Sequence, residues 1–228
     1  MSSSSAPATS SPSSALKVID LFCGLGGWSA AFKDRGHDVL TLDKEKRFSP
    51  DICRNILDVK ASDFPFKPDI ILASPPCEGF SRLRYAFNWR YNEVGDPIPI
   101  SVKSKLGIKL LQKTVTLIAE LQPRYFVIEN PVGKMRHMPE IRNFERRTVT
   151  YCRYGSDAQK PTDLWGGFPP GLVLRPACQA GASCHTSAAG DRKGAIVTAN
   201  DAAARSLVPY ALSEEVCLAA EAEILSNL

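Results

Sequence analysis

The sequence lacks any long apolar run. No stretch of its 228 residues approaches the ~20 consecutive apolar side chains that a membrane-spanning helix needs. It also lacks a strong excess of charge of either sign. The formal net charge is +4, which permits nucleic-acid binding without requiring it. We therefore expect no membrane partner, and the hydrophobic content of 44% with 23% charged residues is typical of a globular protein with one well-buried core.

The first 15 residues lack charged side chains altogether and consist of Ser, Ala, Pro and Thr after Met1. A secretory signal has a basic start and a long apolar core, and a transit peptide usually carries arginines. The sequence therefore predicts a disordered tail over residues 1–15. The chain also lacks an even cysteine count, because it has seven cysteines. Two of them lie in the turns described below, which favours a reduced, intracellular protein over a disulfide framework.

Strand-like and helix-like segments alternate along the first two thirds of the chain. The predicted strands are residues 17–22, 38–42, 69–74, 125–129 and 146–151, with a weaker one at 56–58; the predicted helices are 28–35, 101–122 and 213–225. This alternation predicts an α/β fold with a doubly wound, mostly parallel sheet. After Trp165 the pattern fails, and only residues 171–174 look strand-like. We expect a catalytic domain over 16–165, a small irregular region over 166–207, and a C-terminal helix over 208–228 that packs back on the catalytic domain.

Two polar turns follow buried strands and carry reactive side chains. Ser74-Pro75-Pro76-Cys77 follows the apolar residues 69–73, and Glu129-Asn130-Pro131 follows residues 125–128. Open α/β sheets place their chemistry at these carboxyl ends. A lone cysteine is most often a small buried hydrophobe, but the double-proline turn favours a nucleophile. A thiolate at Cys77 can attack carbon 6 of a pyrimidine, provided that a carboxyl group such as Glu129 protonates nitrogen 3.

A glycine-rich turn follows the first predicted strand, in the run Asp20-Leu21-Phe22-Cys23-Gly24-Leu25-Gly26-Gly27. Glycines let the backbone approach a ligand closely, although such a turn alone is a weak signal. Asp43, at the end of the next strand, stands where an acid binds a ribose diol in such sheets. Asp58 is a candidate for contact with an adenine amino group, or else a helix cap or a surface acid.

In this order, the three motifs resemble those of the cytosine-5 methyltransferase family, over about residues 17–165 with a fainter echo at 207–212. The resemblance implies a Rossmann-like class I methyltransferase that uses S-adenosylmethionine to methylate cytosine in DNA. It implies a catalytic set and a cofactor-binding set. The catalytic set is Cys77, Glu129, Pro76 and Asn130. The cofactor-binding set is Asp20, Phe22, Cys23, Gly24, Gly26, Gly27, Trp28, Asp43, Asp58 and Pro75. A duplex substrate would have to flip its cytosine out of the stack.

The chain departs from the family pattern after Tyr154-Gly155. The family continues with Gln-x-Arg-x-Arg, whereas this chain has Gln159 followed by Lys160, and then Pro161 and Asp163 at the arginine positions. Lys160, Arg153 and Arg147 are the candidates to replace those arginines in space. The region between Trp165 and Val208 is also shorter than the family's target-reading region, which makes a separate specificity partner an expectation.

Two smaller groups of residues remain. Arg82, Arg84 and Arg90 alternate with aromatic residues after Cys77, a pattern that suits phosphate contact and base stacking or one packed face of a strand. Cys178, Cys184 and His185 are candidate metal ligands, with Cys152 or Cys217 as a fourth. The gap of five between the paired cysteines exceeds the usual two to four, so no metal site is predicted.

Three functions follow from these residues. The first is cytosine-5 methylation of DNA, the second is methylation of an RNA such as tRNA, and the third is nucleic-acid binding by a family member without turnover. The lost arginines favour the third, whereas the intact pair of Cys77 and Glu129 favours an enzyme.

Overall fold

A computed structural model describes residues 15–82, 85–179, 182–185 and 206–225. Its strands, in chain order, are Lys17–Leu21 (β1), Asp38–Asp43 (β2), Ile52–Cys53 (β3), Ile70–Ala73 (β4), Trp89–Tyr91 (β5), Pro97–Pro99 (β6), Tyr125–Pro131 (β7), Glu145–Thr150 (β8) and Pro161–Gly167 (β9). Its α-helices are Ala30–Asp34 (α1), Tyr85–Asn88 (α2), Val102–Leu121 (α3) and Tyr210–Leu225 (α4). Residues 1–14 of the predicted tail and much of the predicted irregular region lie outside these ranges. None of the described helices is long and apolar enough to cross a membrane.

Within the described residues, the main sheet has seven strands in the order β3-β2-β1-β4-β7-β9-β8. The five strands β3, β2, β1, β4 and β7 are parallel to one another. Strand β9 runs antiparallel to both of its neighbours, β7 and β8. The hairpin of β5 and β6 forms a separate pair. The carboxyl ends of β1, β4 and β7 therefore meet at one edge of the sheet. This is the Rossmann-like, mostly parallel sheet that the sequence predicts.

The two faces of the sheet bury separate sets of apolar side chains. One face packs with α1 and α4, around residues such as Val18, Phe32 and Leu212. The other packs with α3, around residues such as Ile19 and Leu117. Helices on both faces bury a parallel sheet completely, which explains why its strands read as continuous apolar runs.

Helix α3 confirms the prediction made from its three- and four-residue apolar spacing. The side chain of Ser101 accepts the N–H of Ser104, which caps the first turn. The helix ends where Gln122 takes a left-handed conformation, with φ of 47°, directly before Pro123.

Helix α4 packs on α1, and Glu221 joins it to Arg35 and His37. The buried His37 also accepts the backbone N–H of Leu16, so its ring has a partner on both sides. The C-terminal helix is thereby fastened to the first strand and the first helix of the chain.

Two local predictions were wrong. Residues 56–58 form a 3-10 turn rather than a strand, because the Asn55 side chain accepts the N–H of Leu57 and caps that turn. The third strand is Ile52–Cys53 instead. Residues 171–174 are irregular, held by a turn between Leu172 and Pro169.

Strand β9 was missed because proline and two glycines weaken its pattern. The backbone explains Gly166, since a Cβ there would lie 1.9 Å from the Phe126 carbonyl oxygen.

Candidate active site

A cleft lies at the edge where the carboxyl ends of β1, β4 and β7 meet, as open α/β sheets require. It is lined from four parts of the chain: the glycine turn, the proline-cysteine turn, the end of β7 with the start of β9, and the segment before α4. The lining residues include Phe22, Gly24, Gly27, Trp28, Ser74, Pro75, Cys77, Glu129, Pro131, Lys160, Ser206, Leu207 and Val208. The structure therefore brings Cys77 and Glu129 to the same cleft as the glycine turn.

Cys77 opens a short 3-10 turn, Cys77–Gly79, and is half-buried, whereas Pro76 before it is exposed. The turn is held from outside, because the Trp89 indole donates to the Gly79 carbonyl over 2.7 Å. Gly79 itself presses on α3, where an added Cβ would lie 2.6 Å from the Lys103 carbonyl oxygen. The position of the thiol is thus set by contacts with α2–β5 and α3.

The electrostatic surroundings of Cys77 oppose each other. Burial raises the pKa of its thiol, Lys160 lowers it, and Glu129 raises it further. The positive charge of Lys160 therefore favours the thiolate of Cys77, which is the nucleophilic form.

Glu129 is buried at the end of β7, with 4% of its surface exposed. The Tyr151 hydroxyl donates to its Oε1 over 2.7 Å, and the Lys160 ammonium lies 3.8 Å from the same oxygen. Next to it, the Asn130 amide donates to the Pro75 carbonyl over 2.8 Å. Asn130 thus ties β7 to the proline-cysteine turn. Tyr151 is a site residue that sequence reasoning missed, although it ends a predicted strand.

Lys160 is the candidate for replacing the missing arginines that lies beside the Glu129 carboxylate. Its Nζ stands 4.3 Å from the centre of the Tyr151 ring and lines the cleft. Arg147 instead pairs with Glu145 and donates to the Leu172 carbonyl. Among the three candidates, only Lys160 contacts the Glu129 carboxylate within the described residues.

Asp163, at the second lost arginine position, is fully buried and paired. Arg136 reaches it from the β7–β8 connection with two hydrogen bonds, from Nε and Nη2. Thr148 donates a third, over 2.7 Å. The acid in this position is therefore satisfied by an arginine from elsewhere in the chain, as a buried charge must be.

The glycine turn is held open by unusual backbone angles. Phe22, Gly24 and Gly26 all have positive φ, at 63°, 50° and 77°. The carboxylate of Asp43 accepts the N–H of Gly24 over 3.0 Å and that of Glu45 over 2.9 Å. Positive φ at a non-glycine residue is uncommon and clusters at functional sites. Asp43 therefore shapes the turn, and its role toward a ribose stays a prediction.

The neighbours of this turn are buried. Gly27 packs so closely that a Cβ would lie 2.6 Å from the Val208 carbonyl oxygen. Burial raises the pKa of Asp20 to about 7, and burial raises the pKa of Cys23 to about 12. The mouth of the turn continues into a second cavity, lined by Gly24, Gly26, Lys33, Thr41, Arg47, Phe48 and Ser49. Arg47, Phe48 and Ser49 belong to no recognisable motif, so the sequence did not indicate that they line a cavity.

Several predicted site residues lie elsewhere. Asp58 is exposed and lines neither cavity. Arg82 lies beside the proline-cysteine turn and is exposed, Arg90 is exposed on β5, and Arg84 lies outside the described residues. Their contact with nucleic acid stays a prediction.

The aromatic residues among those arginines have a packing role. The ammonium of Lys134 stands 4.8 Å from the centre of the Tyr85 ring and 4.5 Å from that of Tyr91, and Trp89 is buried. These contacts fasten the loop that follows Cys77.

The three candidate metal ligands come together with a fourth. Cys178, Cys184 and His185 lie beside Cys152, with all four ligand atoms within 4.8 Å of one another. Cys217 is buried on α4 near Glu221 instead. Hydrogen bonds from His185 and from Cys178 lower the pKa of the Cys184 thiol to about 6.

Comparison with known proteins agrees with this geometry. The Entamoeba histolytica methyltransferase EhMeth superposes with a TM-score of 0.51 at 12% identity, over 73% of this chain and 57% of that one. The feature that the two chains share is the fold, a Rossmann-like, mostly parallel sheet. The model of the C-5 cytosine-specific DNA methylases matches residues 16–150. The chain therefore belongs to that family, and the family and enzyme class expected from the motifs are confirmed.

Named relatives point the same way. A probable DNA (cytosine-5)-methyltransferase of Frog virus 3 (isolate Goorha) is 31% identical over 175 residues, which are 68% of this chain and 73% of the viral one. The type II methyltransferase M.AgeI of Thalassovita gelatinovora is 26% identical over 136 residues. That match covers 52% of this chain but only 28% of M.AgeI. The chain thus spans less than a third of the length of this second relative.

Proposed function

We propose that this protein transfers a methyl group from S-adenosylmethionine to carbon 5 of cytosine in DNA, through a covalent bond between Cys77 and carbon 6. The observation that carries the proposal is the shared cleft, which is lined by a half-buried thiol, a buried carboxyl group and a glycine turn. Membership of the family supports the reaction, and the name of the viral relative supports DNA as the substrate.

The residues of the glycine turn fit the methyl donor. Gly24 leaves open space, with no atom within 4 Å of an added Cβ. The Ser74 hydroxyl and the Trp28 indole nitrogen line the same cleft and are buried without a hydrogen-bond partner in the described structure, so both are available to a polar ligand. When bound, S-adenosylmethionine supplies an electrophilic methyl group on a sulfonium ion.

Cys77 and Glu129 perform complementary parts of the reaction. The Cys77 thiolate adds to carbon 6 of the flipped cytosine while Glu129 donates a proton to nitrogen 3, so the ring electrons move to carbon 5. Carbon 5 would then take the methyl group, with the sulfur of the donor keeping the electrons of the broken bond. Its own proton would pass to water, nitrogen 3 would return its proton to Glu129, and Cys77 would leave as the thiolate, which restores the aromatic ring. Because Tyr151 and Lys160 both contact Oε1 of Glu129, we assign the proton donated to nitrogen 3 to Oε2.

Lys160 takes the electrostatic place of the family's arginines. Its charge lowers the pKa of Cys77. Its ammonium group also lies beside Glu129, which becomes negatively charged when it donates its proton. A single point charge replaces the planar fork of arginine, so it stabilises charge without imposing bidentate geometry.

A trapping experiment tests this function. DNA that contains 5-fluorocytosine should form a stable covalent adduct with the protein in the presence of S-adenosylmethionine, because fluorine at carbon 5 does not leave as a cation. The adduct should require Cys77, and a Cys77→Ala variant is the control. Denaturing gel electrophoresis and mass spectrometry of the adduct identify the attached residue and the target sequence.

A matching RNA carries the second arm of the same experiment. An adduct on RNA alone would move the substrate to RNA. Absence of an adduct on either nucleic acid, with donor binding retained, would favour a binding protein or one that needs a specificity partner.

Replacing Lys160 with glutamine should shift the pH dependence of methylation. Without the ammonium, the largest influence that opposes burial is lost and the pKa of Cys77 rises, so the thiolate forms at higher pH. We expect the rising limb of the kcat/KM profile to move to higher pH, with about a tenfold loss at neutral pH if the pKa of the thiol rises by about 1. Lys160→Arg keeps the charge and should leave the limb in place. A glutamine variant with an unmoved limb would contradict this role.

A further inference from the structure

We propose that Cys152, Cys178, Cys184 and His185 bind a structural zinc ion. The four residues come from two separate parts of the chain, the turn after β8 and the segment after β9. The Cys184 sulfur lies 3.6 Å from that of Cys152 and 3.2 Å from that of Cys178. His185 Nδ1 lies 3.5 Å from the Cys178 sulfur and 3.6 Å from the Cys184 sulfur.

These distances are those of a tetrahedral metal site. A zinc ion with Zn–S bonds of about 2.3 Å and a Zn–N bond of about 2.0 Å places neighbouring ligand atoms roughly 3.5 to 3.8 Å apart. Three of the four measured separations fall close to that range, and the fourth, between Cys178 and Cys184, is slightly shorter. A Cys₃His set is a structural combination for zinc, because the protein fills all four positions and leaves none for a substrate.

The sequence departs from the usual spacing of paired zinc cysteines, and the structure shows why this does not matter. The fourth ligand, Cys152, is distant in sequence and buried in the 3-10 turn Tyr151–Tyr154. Cys178 is brought to it by backbone contacts, since its N–H donates to the Thr150 hydroxyl over 2.7 Å. Arg175 also donates to the Arg153 carbonyl and pairs with Glu215. Contacts outside the ligand side chains thus bring the segment after β9 to the turn that contains Cys152.

Charge at the cluster suits a metal ion. Zinc binding would release the three thiol protons and leave a net charge of −1 for three thiolates, one neutral imidazole and Zn²⁺. Arg153 faces Cys184 and offsets that charge. The other group of possible ligands in the described structure, His37, Cys217 and Glu221, differs in this respect, because Arg35 already holds both carboxylate oxygens of Glu221.

The proposed ion would stabilise the surroundings of the catalytic acid. Cys152 follows Tyr151 directly, and Tyr151 donates to Glu129. The turn that contains Tyr151 and Cys152 would therefore be linked through the metal to the segment after β9. The proposal concerns metal binding and is independent of the methyl-transfer function proposed above.

Metal analysis of the full chain tests the site. The protein is prepared with zinc under reducing conditions and then desalted. Elemental mass spectrometry should then find one zinc ion per chain. Cys184→Ser should lose it, because a hydroxyl does not replace a thiolate ligand, whereas Cys53→Ser, at an exposed cysteine outside the cluster, should keep it. Cobalt added to the zinc-free chain should give the intense absorption of tetrahedral thiolate coordination, and Cys184→Ser should abolish it.

Circular dichroism shows whether each variant remains folded, and His185→Ala provides a second substitution with the same expected loss. Wild-type protein that is folded and active but free of zinc would overturn the proposal. A disulfide between Cys178 and Cys184 in protein prepared with a reductant would overturn it as well, and so would equal zinc in the wild type and Cys184→Ser.

Discussion

Replacing Cys77 with serine should abolish methyl transfer, with a loss on the order of 10⁴-fold or more in kcat, as expected when a covalent nucleophile is removed. The serine hydroxyl has nearly the size of the thiol, so the turn held by Trp89 and Gly79 should be preserved. It is a far weaker nucleophile at neutral pH, because its proton is not released. Transfer of labelled methyl groups to DNA, measured over many turnovers, gives the rate.

Donor binding separates the possible outcomes for Cys77→Ser. In calorimetric titration, the Cys77→Ser variant should bind S-adenosylmethionine with the same affinity as the wild type, since Cys77 acts on the base and not on the donor. Cys53→Ser is the control for loss of a thiol and should keep full activity. A Cys77→Ser protein that methylates as fast as the wild type would exclude the covalent mechanism. If the wild type itself binds the donor and never transfers the methyl group, the result favours a binding protein or one that needs a specificity partner.

Replacing Glu129 with glutamine should have the second largest effect. Glutamine keeps the shape and can accept the Tyr151 hydroxyl, but it has no acidic proton for nitrogen 3 of the base. Loss of a positioned general acid costs about 10²- to 10⁴-fold, so we expect a decrease of that size in kcat/KM. Glu120→Gln, at an exposed residue of α3, is the matched control.

The trapping reaction distinguishes the role of Glu129 from a packing role. Because addition of Cys77 to carbon 6 needs the protonated ring, Glu129→Gln should form the 5-fluorocytosine adduct slowly as well as turn over slowly. Retention of the wild-type adduct rate in this variant would show that the carboxyl group acts after addition. An unchanged turnover rate would remove Glu129 from the chemistry.

Contacts inside the cleft are compatible with proton transfer at Glu129. Its carboxyl group is buried, and one oxygen is already held by Tyr151 and faced by Lys160. Buried polar groups held in this way are positioned before the substrate arrives, so little reorganisation is needed during the reaction.

Much of the fold was predictable because parallel strands and long helices leave local patterns. The apolar runs of β1, β4 and β7 are continuous since helices cover both faces of the sheet, and α3 shows its helical spacing over 20 residues. Strand β9 was not predictable, because it contains Pro161 and two glycines and is stabilised by pairing with β7 and β8. The 3-10 turn at residues 56–58 was mistaken for a strand, since three residues carry no period.

The sequence by itself determined the order of the motifs, and hence the identity of the cysteine, the carboxyl group and the glycine turn that come to one edge of a parallel sheet. Such motifs are local, because a strand and the turn that follows it are encoded by neighbouring residues. Only the tertiary structure decided that Lys160, rather than Arg147 or Arg153, stands beside Glu129, that Tyr151 holds this acid, and that Cys152 joins Cys178, Cys184 and His185. Those groupings depend on strand register and on packing between distant segments, for which the order of residues along the chain contains no local signal.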